Sequence, residues 1–200
     1  MTDKEFLTKI KDDVINDMHE SGILASLTAA QAFLESGHGT SKLSLPPNNN
    51  LFGIKGSYNG SYVTMKTKEY VNGKYIVVDA AFKKYPSWLE SIRDHSAMFN
   101  RLDRYKNLRG EKDYKTACIN VQKDGYATSP VYSQSLIRVI ETYKLYEWDQ
   151  SDPIPEDTEL KEAINTIALR VIDGKFGYGH DLRASSIYAL VRARVNELLT

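Results

Sequence analysis

The chain lacks several features that mark other classes of protein. It has a single cysteine, so no disulfide can form within it. Lysine plus arginine number 26 and aspartate plus glutamate also number 26, so the basic excess typical of nucleic-acid-binding proteins is missing. No apolar run is long enough to cross a membrane. The first residues carry no apolar signal core, and we therefore expect either cytoplasmic synthesis or prior removal of a leader.

Motifs for metals and cofactors are also missing. The four histidines are widely separated, and none has the His-Glu-x-x-His spacing of a zinc site. No phosphate-binding Gly-x-x-x-x-Gly-Lys-Ser/Thr motif or dinucleotide fingerprint occurs. The sequence therefore predicts neither a metal nor a cofactor. Cys118 falls in a predicted helix, and we expect it to be a small core residue because no motif supports a catalytic thiol.

The hydrophobic periodicity predicts an α+β domain. Helices are expected at about residues 3–20, 23–36, 88–102, 113–123 and 130–146. The Asn-Gly pair at 72–73 is a strong hairpin signal between strands at 62–71 and 74–81. Ser87 and Glu90 have the spacing of a capping box for the third helix. Residues 42–60 are rich in Pro, Asn, Gly and Ser and are expected to form a loop.

Glu35 is the most informative residue of this domain. It lies beside the apolar face of the second predicted helix, close to the helix end that Gly37 and Gly39 favour. The negative end of the helix dipole and apolar neighbours both disfavour an ionised carboxylate there. A raised pKa is what a general acid needs near neutral pH. The alternative is an ordinary surface glutamate near a helix end.

Glu69 is the second carboxylate of interest. By the two-residue period of a strand it shares a face with Val63, Met65, Thr67 and Val71. A carboxylate among apolar neighbours suggests a functional position. An edge-strand charge that prevents aggregation is the alternative.

Four separated motifs occur in order along the chain. They are Glu-Ser-Gly-His-Gly at 35–39, Asn-Leu-Phe-Gly at 50–53, Thr-Lys-Glu-Tyr at 67–70 and Gly-Tyr-Ala-Thr-Ser-Pro-Val-Tyr at 125–132. Together they resemble glycoside hydrolase family 73, the endo-β-N-acetylglucosaminidases of peptidoglycan, over about residues 20–148. Two positions depart from the family pattern: His38 replaces a usual tryptophan, and Ser129 replaces a usual aspartate.

The resemblance implies a lysozyme-like fold, mainly helical with a small β-hairpin lobe and a cleft between the two parts. It implies that Glu35 is the general acid and that Glu69 activates water or stabilises the cationic sugar. Tyr126 is the third catalytic candidate, orienting the acetamido group or water, with a buried aromatic as the alternative. Candidate substrate-binding residues are Gln31, Asn50, Phe52, Gly53 and Tyr132. Residues 50–53 are also expected to form a rigid turn.

A second unit is expected after the catalytic domain of residues 1–149. Residues 150–158 contain two prolines and three acids with little apolar content, which predicts a linker. Residues 159–200 resemble the cell-wall-binding repeats of phage lysins, which are three-helix modules of about this length. The candidate wall-binding residues are Lys175, Phe176, Tyr178, Asp181 and Arg183. Alternatively, the glycines of this segment only form a tight turn between helices.

The sequence thus predicts a peptidoglycan hydrolase that cuts the β-1,4 bond between N-acetylglucosamine and N-acetylmuramic acid. A phage or prophage endolysin, held in the host cytoplasm until it is released to the wall, is favoured over a secreted bacterial autolysin. A lytic transglycosylase of the same fold and a non-catalytic wall-binding protein are the alternatives. The predicted partner is bacterial peptidoglycan, and no oligomeric state is predicted.

Overall fold

The computed structural model describes residues 1–71 and 74–153, and this part has the predicted α+β architecture. Its helices and strands are α1 (Asp3–Ser21), α2 (Ala25–Glu35), β1 (Tyr62–Val71), β2 (Lys74–Lys83), α3 (Trp88–Arg101), α4 (Tyr114–Lys123) and α5 (Tyr132–Thr142). Short 3-10 helices span Asp103–Leu108 and Leu145–Gln150. Among the described residues, no helix has the length and apolar character to span a bilayer.

The chain divides into two units, Met1–Ile154 and Pro155–Thr200. The boundary falls within the stretch that the sequence predicts to be a linker. The candidate wall-binding residues all lie outside the described residues, so their assignment stays a prediction. They are Lys175, Phe176, Tyr178, Asp181 and Arg183.

Helix α1 begins with a capping box that the sequence analysis did not identify. The Thr2 hydroxyl accepts a hydrogen bond from the Glu5 backbone N–H, and the Glu5 carboxylate accepts one from the Thr2 N–H at 2.7 Å. Two N–H groups that the helix leaves without partners are thereby satisfied. Phe6, Ile10 and Val14 form the buried apolar stripe that the i, i+4 spacing predicts.

Helix α2 is enclosed by the rest of the domain. All residues from Ala25 to Phe33 are buried, and its alanines let α1 and α5 pack closely against it. Its N-terminus is held from far along the chain, because Asp149 Oδ1 accepts from the Ser26 N–H at 2.8 Å and Oδ2 from the Ser26 hydroxyl at 2.6 Å. A carboxylate there satisfies a free donor and complements the helix dipole.

The strands form a two-stranded antiparallel sheet whose register runs from Tyr62 opposite Lys83 to Val71 opposite Lys74 without a bulge. Along β1, half-buried Val63, Met65 and Thr67 alternate with exposed residues, as the period of two predicts. The predicted turn at residues 72–73 lies outside the described residues, but the strands on both sides confirm the hairpin.

Helix α3 is capped by Ser87, whose hydroxyl accepts a hydrogen bond from the Glu90 N–H. The Glu90 side chain does not complete the predicted capping box, because it accepts from the Tyr58 hydroxyl at 2.5 Å and pairs with Arg93. Glu90 therefore ties the loop before β1 to α3. After this helix, the 3-10 turn from Asp103 to Leu108 was not predicted, since its two buried residues are too few to define a period.

The last predicted helix is shorter than expected. Helix α5 starts at Tyr132, not at Pro130, and its cap residue Val131 offers no side-chain hydrogen bond. Ser129 contributes through its backbone, since its carbonyl accepts from the Tyr132 N–H at 3.2 Å. The helix ends at Thr142, and Lys144 in a left-handed conformation starts the second 3-10 helix. The sequence offers no glycine or proline there to mark this break.

Candidate active site

Glu35 is the last residue of α2, as the sequence predicts. Three successive residues with positive φ, Gly37, His38 and Gly39, turn the chain sharply after the helix. The Ser36 and His38 N–H groups bond back to the carbonyls of Ala32 and Phe33, which closes the helix end. The carboxylate is thus fixed at the point where a rigid, enclosed helix meets the loop.

The Glu35 carboxyl has a partner from α5. The Tyr132 hydroxyl donates a hydrogen bond to Glu35 Oε1 at 2.9 Å. The same hydroxyl accepts from Gln31 Nε2 at 3.2 Å, one helical turn before Glu35. Gln31 is fully buried and Tyr132 is nearly so. The structure therefore places both side chains in the interior beside the Glu35 carboxyl, and their predicted contact with substrate stays a prediction.

The Glu35 residue is open to solvent on one side, yet protein atoms crowd the carboxyl from the other. This burial raises the pKa of Glu35 above its ordinary value, while the Tyr132 hydrogen bond opposes the shift. An accessible carboxyl with a raised pKa can hold a proton and still deliver it to a substrate. The structure thus confirms the direction of the pKa shift that the sequence analysis expected.

Tyr126 lies next to this pair. Its ring stacks on that of Tyr132, with 5.8 Å between the ring centroids and 17° between the planes. Burial and the nearby Glu35 charge raise the pKa of its hydroxyl. Tyr126, Tyr132 and Gln31 are therefore brought together around Glu35. The role of Tyr126 in orienting the acetamido group or water stays a prediction.

The ring stack continues into the interior through His95, which the sequence analysis did not single out. The His95 imidazole lies edge-on to Tyr126 at 5.8 Å and stacks on Phe52 at 3.9 Å. Complete burial lowers the pKa of His95 to about 3, so the ring is neutral at ordinary pH. His95 joins the tyrosines of the site to the loop before β1. A lone histidine on a helix gives no sequence signal for this role.

Hydrogen bonds of the Asn50 side chain hold the loop that contains Asn50, Phe52 and Gly53. Asn50 Nδ2 donates to the carbonyls of Ile54 and Lys83 at 3.0 and 2.8 Å, and Asn50 Oδ1 accepts from the Ile54 N–H. Both the Asn50 and Phe52 side chains are buried. These two side chains build the turn, and their predicted contact with a sugar gains no support from the structure. Gly53, with φ of 64°, has open space beside it, and its substrate contact stays a prediction.

Glu69 lies within β1, opposite Ile76 of β2, where the sequence places it. Its side chain lies outside the described residues. The position on the hairpin lobe is therefore established, and its catalytic role stays a prediction.

His38, at the position of the family's usual tryptophan, has a half-exposed side chain that packs on the protein. Its ring stacks on Phe33 with centroids 3.9 Å apart, and Nδ1 lies 2.9 Å from Asp3 Oδ1. The Tyr143 hydroxyl donates to the other Asp3 oxygen at 2.6 Å. The departure from the family pattern therefore ties the loop after Glu35 to the start of α1.

A surface depression of about 690 Å³ lies beside the turn that follows Glu35, since Gly39 and Thr40 contribute to its lining. The lining also includes Lys9 and Trp88, with the Lys9 ammonium 4.5 Å from the Trp88 ring centre, but it does not include Glu35 itself. Within residues 1–71 and 74–153, no group of three or more histidine, cysteine or acidic side chains is arranged to hold a metal. The buried Cys118 has its pKa raised to about 12, which confirms an inert core position.

Comparison with known proteins identifies this arrangement. Residues 11–145 match the model of the glucosaminidase family, described as mannosyl-glycoprotein endo-β-N-acetylglucosaminidase. The match covers the helix of Glu35, the hairpin and the Tyr126–Tyr132 segment. The chain belongs to the glucosaminidase family. The resemblance seen in the four sequence motifs is thereby confirmed.

Individual relatives of the glucosaminidase domain are named as a glucosaminidase and as a muramidase. The chain is 38% identical over 158 residues to the exo-glucosaminidase LytG of Bacillus subtilis, covering 76% of this chain and 56% of LytG. It is 37% identical over 135 residues to a probable N-acetylmuramidase of Lactococcus lactis, covering 64% of this chain and 31% of that protein. The chain therefore spans at most about half the length of these curated relatives.

The fold agrees with a solved member of the family. The catalytic domain of the autolysin Auto from Listeria monocytogenes superposes with a TM-score of 0.70 at 37% identity, covering 73% of this chain and 86% of that domain. A mainly helical domain with one small two-stranded sheet is thus confirmed as the glucosaminidase-type, lysozyme-like fold.

Proposed function

We propose that this glucosaminidase-family chain hydrolyses peptidoglycan at the β-1,4 bond between N-acetylglucosamine and N-acetylmuramic acid. The observation that carries the proposal is the Glu35 carboxyl, which is accessible, has a raised pKa and accepts a hydrogen bond from Tyr132. Relatives named as a glucosaminidase and as a muramidase share the domain, so the family alone does not select the bond.

In the proposed reaction, Glu35 protonates the glycosidic oxygen as the bond to the sugar breaks and positive charge grows on the ring. Glu69 of the hairpin lobe then activates water or stabilises the charged sugar. Two carboxyl groups about 5 Å apart serve a retaining mechanism, and a separation of about 6.5–9.5 Å serves an inverting one. A substrate-assisted route through the acetamido group would instead place Tyr126 or Glu69 in a supporting role.

The biological role that we propose is that of a phage or prophage endolysin. The resemblance of residues 159–200 to lysin wall-binding repeats supports it, through Lys175, Phe176, Tyr178, Asp181 and Arg183. Such an enzyme accumulates in the host cytoplasm and then reaches the wall. An autolysin exported by its own cell is the competing role, and a signal sequence encoded upstream of the gene would favour it.

The test is mass spectrometry of purified peptidoglycan digested by the full chain, with borohydride reduction of the products. New reducible ends on N-acetylglucosamine support the proposal. Reducible ends on muramic acid would make the chain a muramidase, and anhydro-muramic ends a lytic transglycosylase. The absence of new ends would favour a non-catalytic wall-binding protein.

Two substitutions assign the carboxylates in the same assay. Glu35→Gln should lower the rate by about 10²–10⁴-fold, because an amide cannot donate the catalytic proton. Glu20→Gln is the matched control, since Glu20 is also an exposed glutamate near a helix end, and it should keep full activity. Substantial cleavage by the Glu35 variant would remove this residue from the acid role. Glu69→Gln should abolish hydrolysis if a second carboxylate takes part.

A further inference from the structure

The hydrogen bonds around Glu35 have a defined direction. The Gln31 amide nitrogen can only donate, so the Tyr132 oxygen that lies 3.2 Å away accepts. The single hydroxyl hydrogen of Tyr132 is then free to point at Glu35 Oε1, 2.9 Å away. The buried amide of Gln31 thus determines which way the tyrosine hydroxyl donates.

This arrangement makes the two oxygens of Glu35 unequal. Oε1 accepts the hydrogen bond from the Tyr132 hydroxyl and is thereby held as an acceptor. A carboxylic acid carries its own proton on one oxygen, and the oxygen that already accepts a hydrogen bond is the poorer place for it. The proton of the neutral acid is therefore best carried on Oε2.

We propose that Gln31 and Tyr132 are positioning residues that hold Glu35 Oε1 as an acceptor, so that the catalytic proton is carried and delivered by Oε2. The inference rests on the proposed general-acid role of Glu35. In the step, the Oε2–H bond breaks and the proton joins the glycosidic oxygen, while the electron pair of the breaking C–O bond stays with the leaving sugar. The resulting Glu35 carboxylate is stabilised by the hydrogen bond from Tyr132.

The surroundings keep this arrangement in place. Gln31 lies on α2 and Tyr132 on α5, and the two helices pack directly against each other. The Tyr132 ring is held by its stack on Tyr126, whose ring in turn contacts His95. Rotation of the tyrosine hydroxyl toward another acceptor would leave the Gln31 amide donor without its partner. The pair thus acts as one preorganised unit.

The first test is Tyr132→Phe, which removes one hydroxyl and keeps the ring stack. A ¹³C NMR titration of the Glu35 carboxyl, assigned by its loss in Glu35→Gln, reads the pKa without any substrate. We expect a rise of about one pH unit, since a hydrogen bond to a charged group is lost. The basic limb of the pH profile of kcat/KM should move upward by the same amount, while the maximal rate falls.

The second test asks whether Gln31 acts through Tyr132. Gln31→Met has similar volume and no donor, and it should shift the Glu35 titration in the same direction by a smaller amount. In the Tyr132→Phe background, Gln31→Met should add no further shift, because the tyrosine hydroxyl through which Gln31 acts is absent. An equal shift by Gln31→Met in both backgrounds, or no shift by either single variant, would overturn the proposal.

Tyr143→Phe is the matched control. It also removes a tyrosine hydroxyl that donates to a carboxylate, but the acceptor is Asp3. It should leave the Glu35 titration and the pH profile unchanged. If Tyr132→Phe shifts the NMR titration and leaves the pH profile of cleavage unmoved, the positioning pair is real and the general-acid role of Glu35 fails. If neither moves, the positioning proposal itself fails.

Discussion

Gly39 shows how closely the loop after the catalytic helix packs at the scale of a single residue. Its φ is 72°, a conformation that L side chains rarely adopt. A Cβ atom at this position would also overlap the ring of Phe6 in α1. The glycine therefore serves both the turn after Glu35 and the contact of that turn with the core.

We predict that Gly39→Ala lowers the free energy of unfolding by about 3 kcal/mol, combining backbone strain of about 1–2 kcal/mol with overpacking of a similar size. Gly60→Ala is the control, because Gly60 also has a positive φ of 83° but has open space around it. Gly60→Ala should lower the free energy of unfolding by only about 1 kcal/mol, which is the contribution of backbone strain alone. Urea denaturation of both variants measures the difference, and equal losses would show that the Phe6 contact adds nothing.

The position of Glu35 at the end of an apolar helix could be predicted from the sequence, and with it the upward direction of its pKa shift. Gln31 and Tyr132 were predicted only to lie among the residues near substrate. Their hydrogen bond joins positions 101 residues apart, and no local pattern predicts that. His95 was missed for the same reason, since its stacking on Phe52 depends on how α3 meets a distant loop.

At the scale of elements, α1 and α3 are joined by a buried acid. Asp17 of α1 accepts from the Ser96 hydroxyl of α3 at 2.5 Å and from Ser21 at 3.3 Å. Burial raises the pKa of Asp17 to about 6, although the two hydrogen bonds act against the shift. The folded state therefore keeps this proton to a higher pH than the unfolded state does. The contribution of Asp17 to the free energy of unfolding therefore falls as pH rises from about 4 to about 6.

We predict that Asp17→Asn removes this dependence, because asparagine has no proton to lose and still offers an oxygen to Ser96. Relative to the wild type, the variant should gain about 3 kcal/mol of stability between pH 4 and pH 7. Urea denaturation of the variant and the wild type at three pH values measures the difference between their free energies of unfolding. His95 contributes with the opposite sign, but equally in both proteins, so its contribution cancels in this difference. Ser96→Ala should instead make the free energy of unfolding fall more steeply with pH, because it removes a hydrogen bond that opposes the rise in the pKa of Asp17. Parallel stability curves for Asp17→Asn and the wild type would contradict the prediction.

The elements themselves were largely predictable. The stripe of Phe6, Ile10 and Val14 and the alternation along β1 are periodic signals that burial on one face produces. The break near Lys144 was not predictable, because the apolar pattern runs on past the end of α5 without a glycine or proline. Tertiary packing of the final 3-10 helix against α2 sets this boundary.

At the scale of the whole molecule, the 3-10 helix from Leu145 to Gln150 completes the catalytic domain. Leu145 is fully buried, and Asp149 holds the N-terminus of α2. A chain that ends at Pro153 keeps both residues. One that ends at Lys144 loses both of them.

We predict that the chain ending at Pro153 cleaves soluble glycan fragments at the full-length rate but binds purified cell walls about tenfold more weakly, because a second attachment point is lost. Pelleting with walls and cleavage assays measure the two effects separately. The chain ending at Lys144 should fail to fold, as circular dichroism would show. Equal pelleting by the full chain and the Pro153 truncation would refute wall targeting by residues 159–200.

The hydrogen bonds between Asp149 and Ser26 also have a consequence for folding during translation, because they join an early and a late part of the chain. The helix that carries Glu35 leaves the ribosome early, whereas the carboxylate that caps it is made 123 residues later. A nascent chain halted in between presents an uncapped helix that α1 can cover but α5 and the last 3-10 helix cannot yet cover. Apolar surface left open in this way is the kind that chaperones and proteases recognise. The first helix of the site is therefore among the last to be completed.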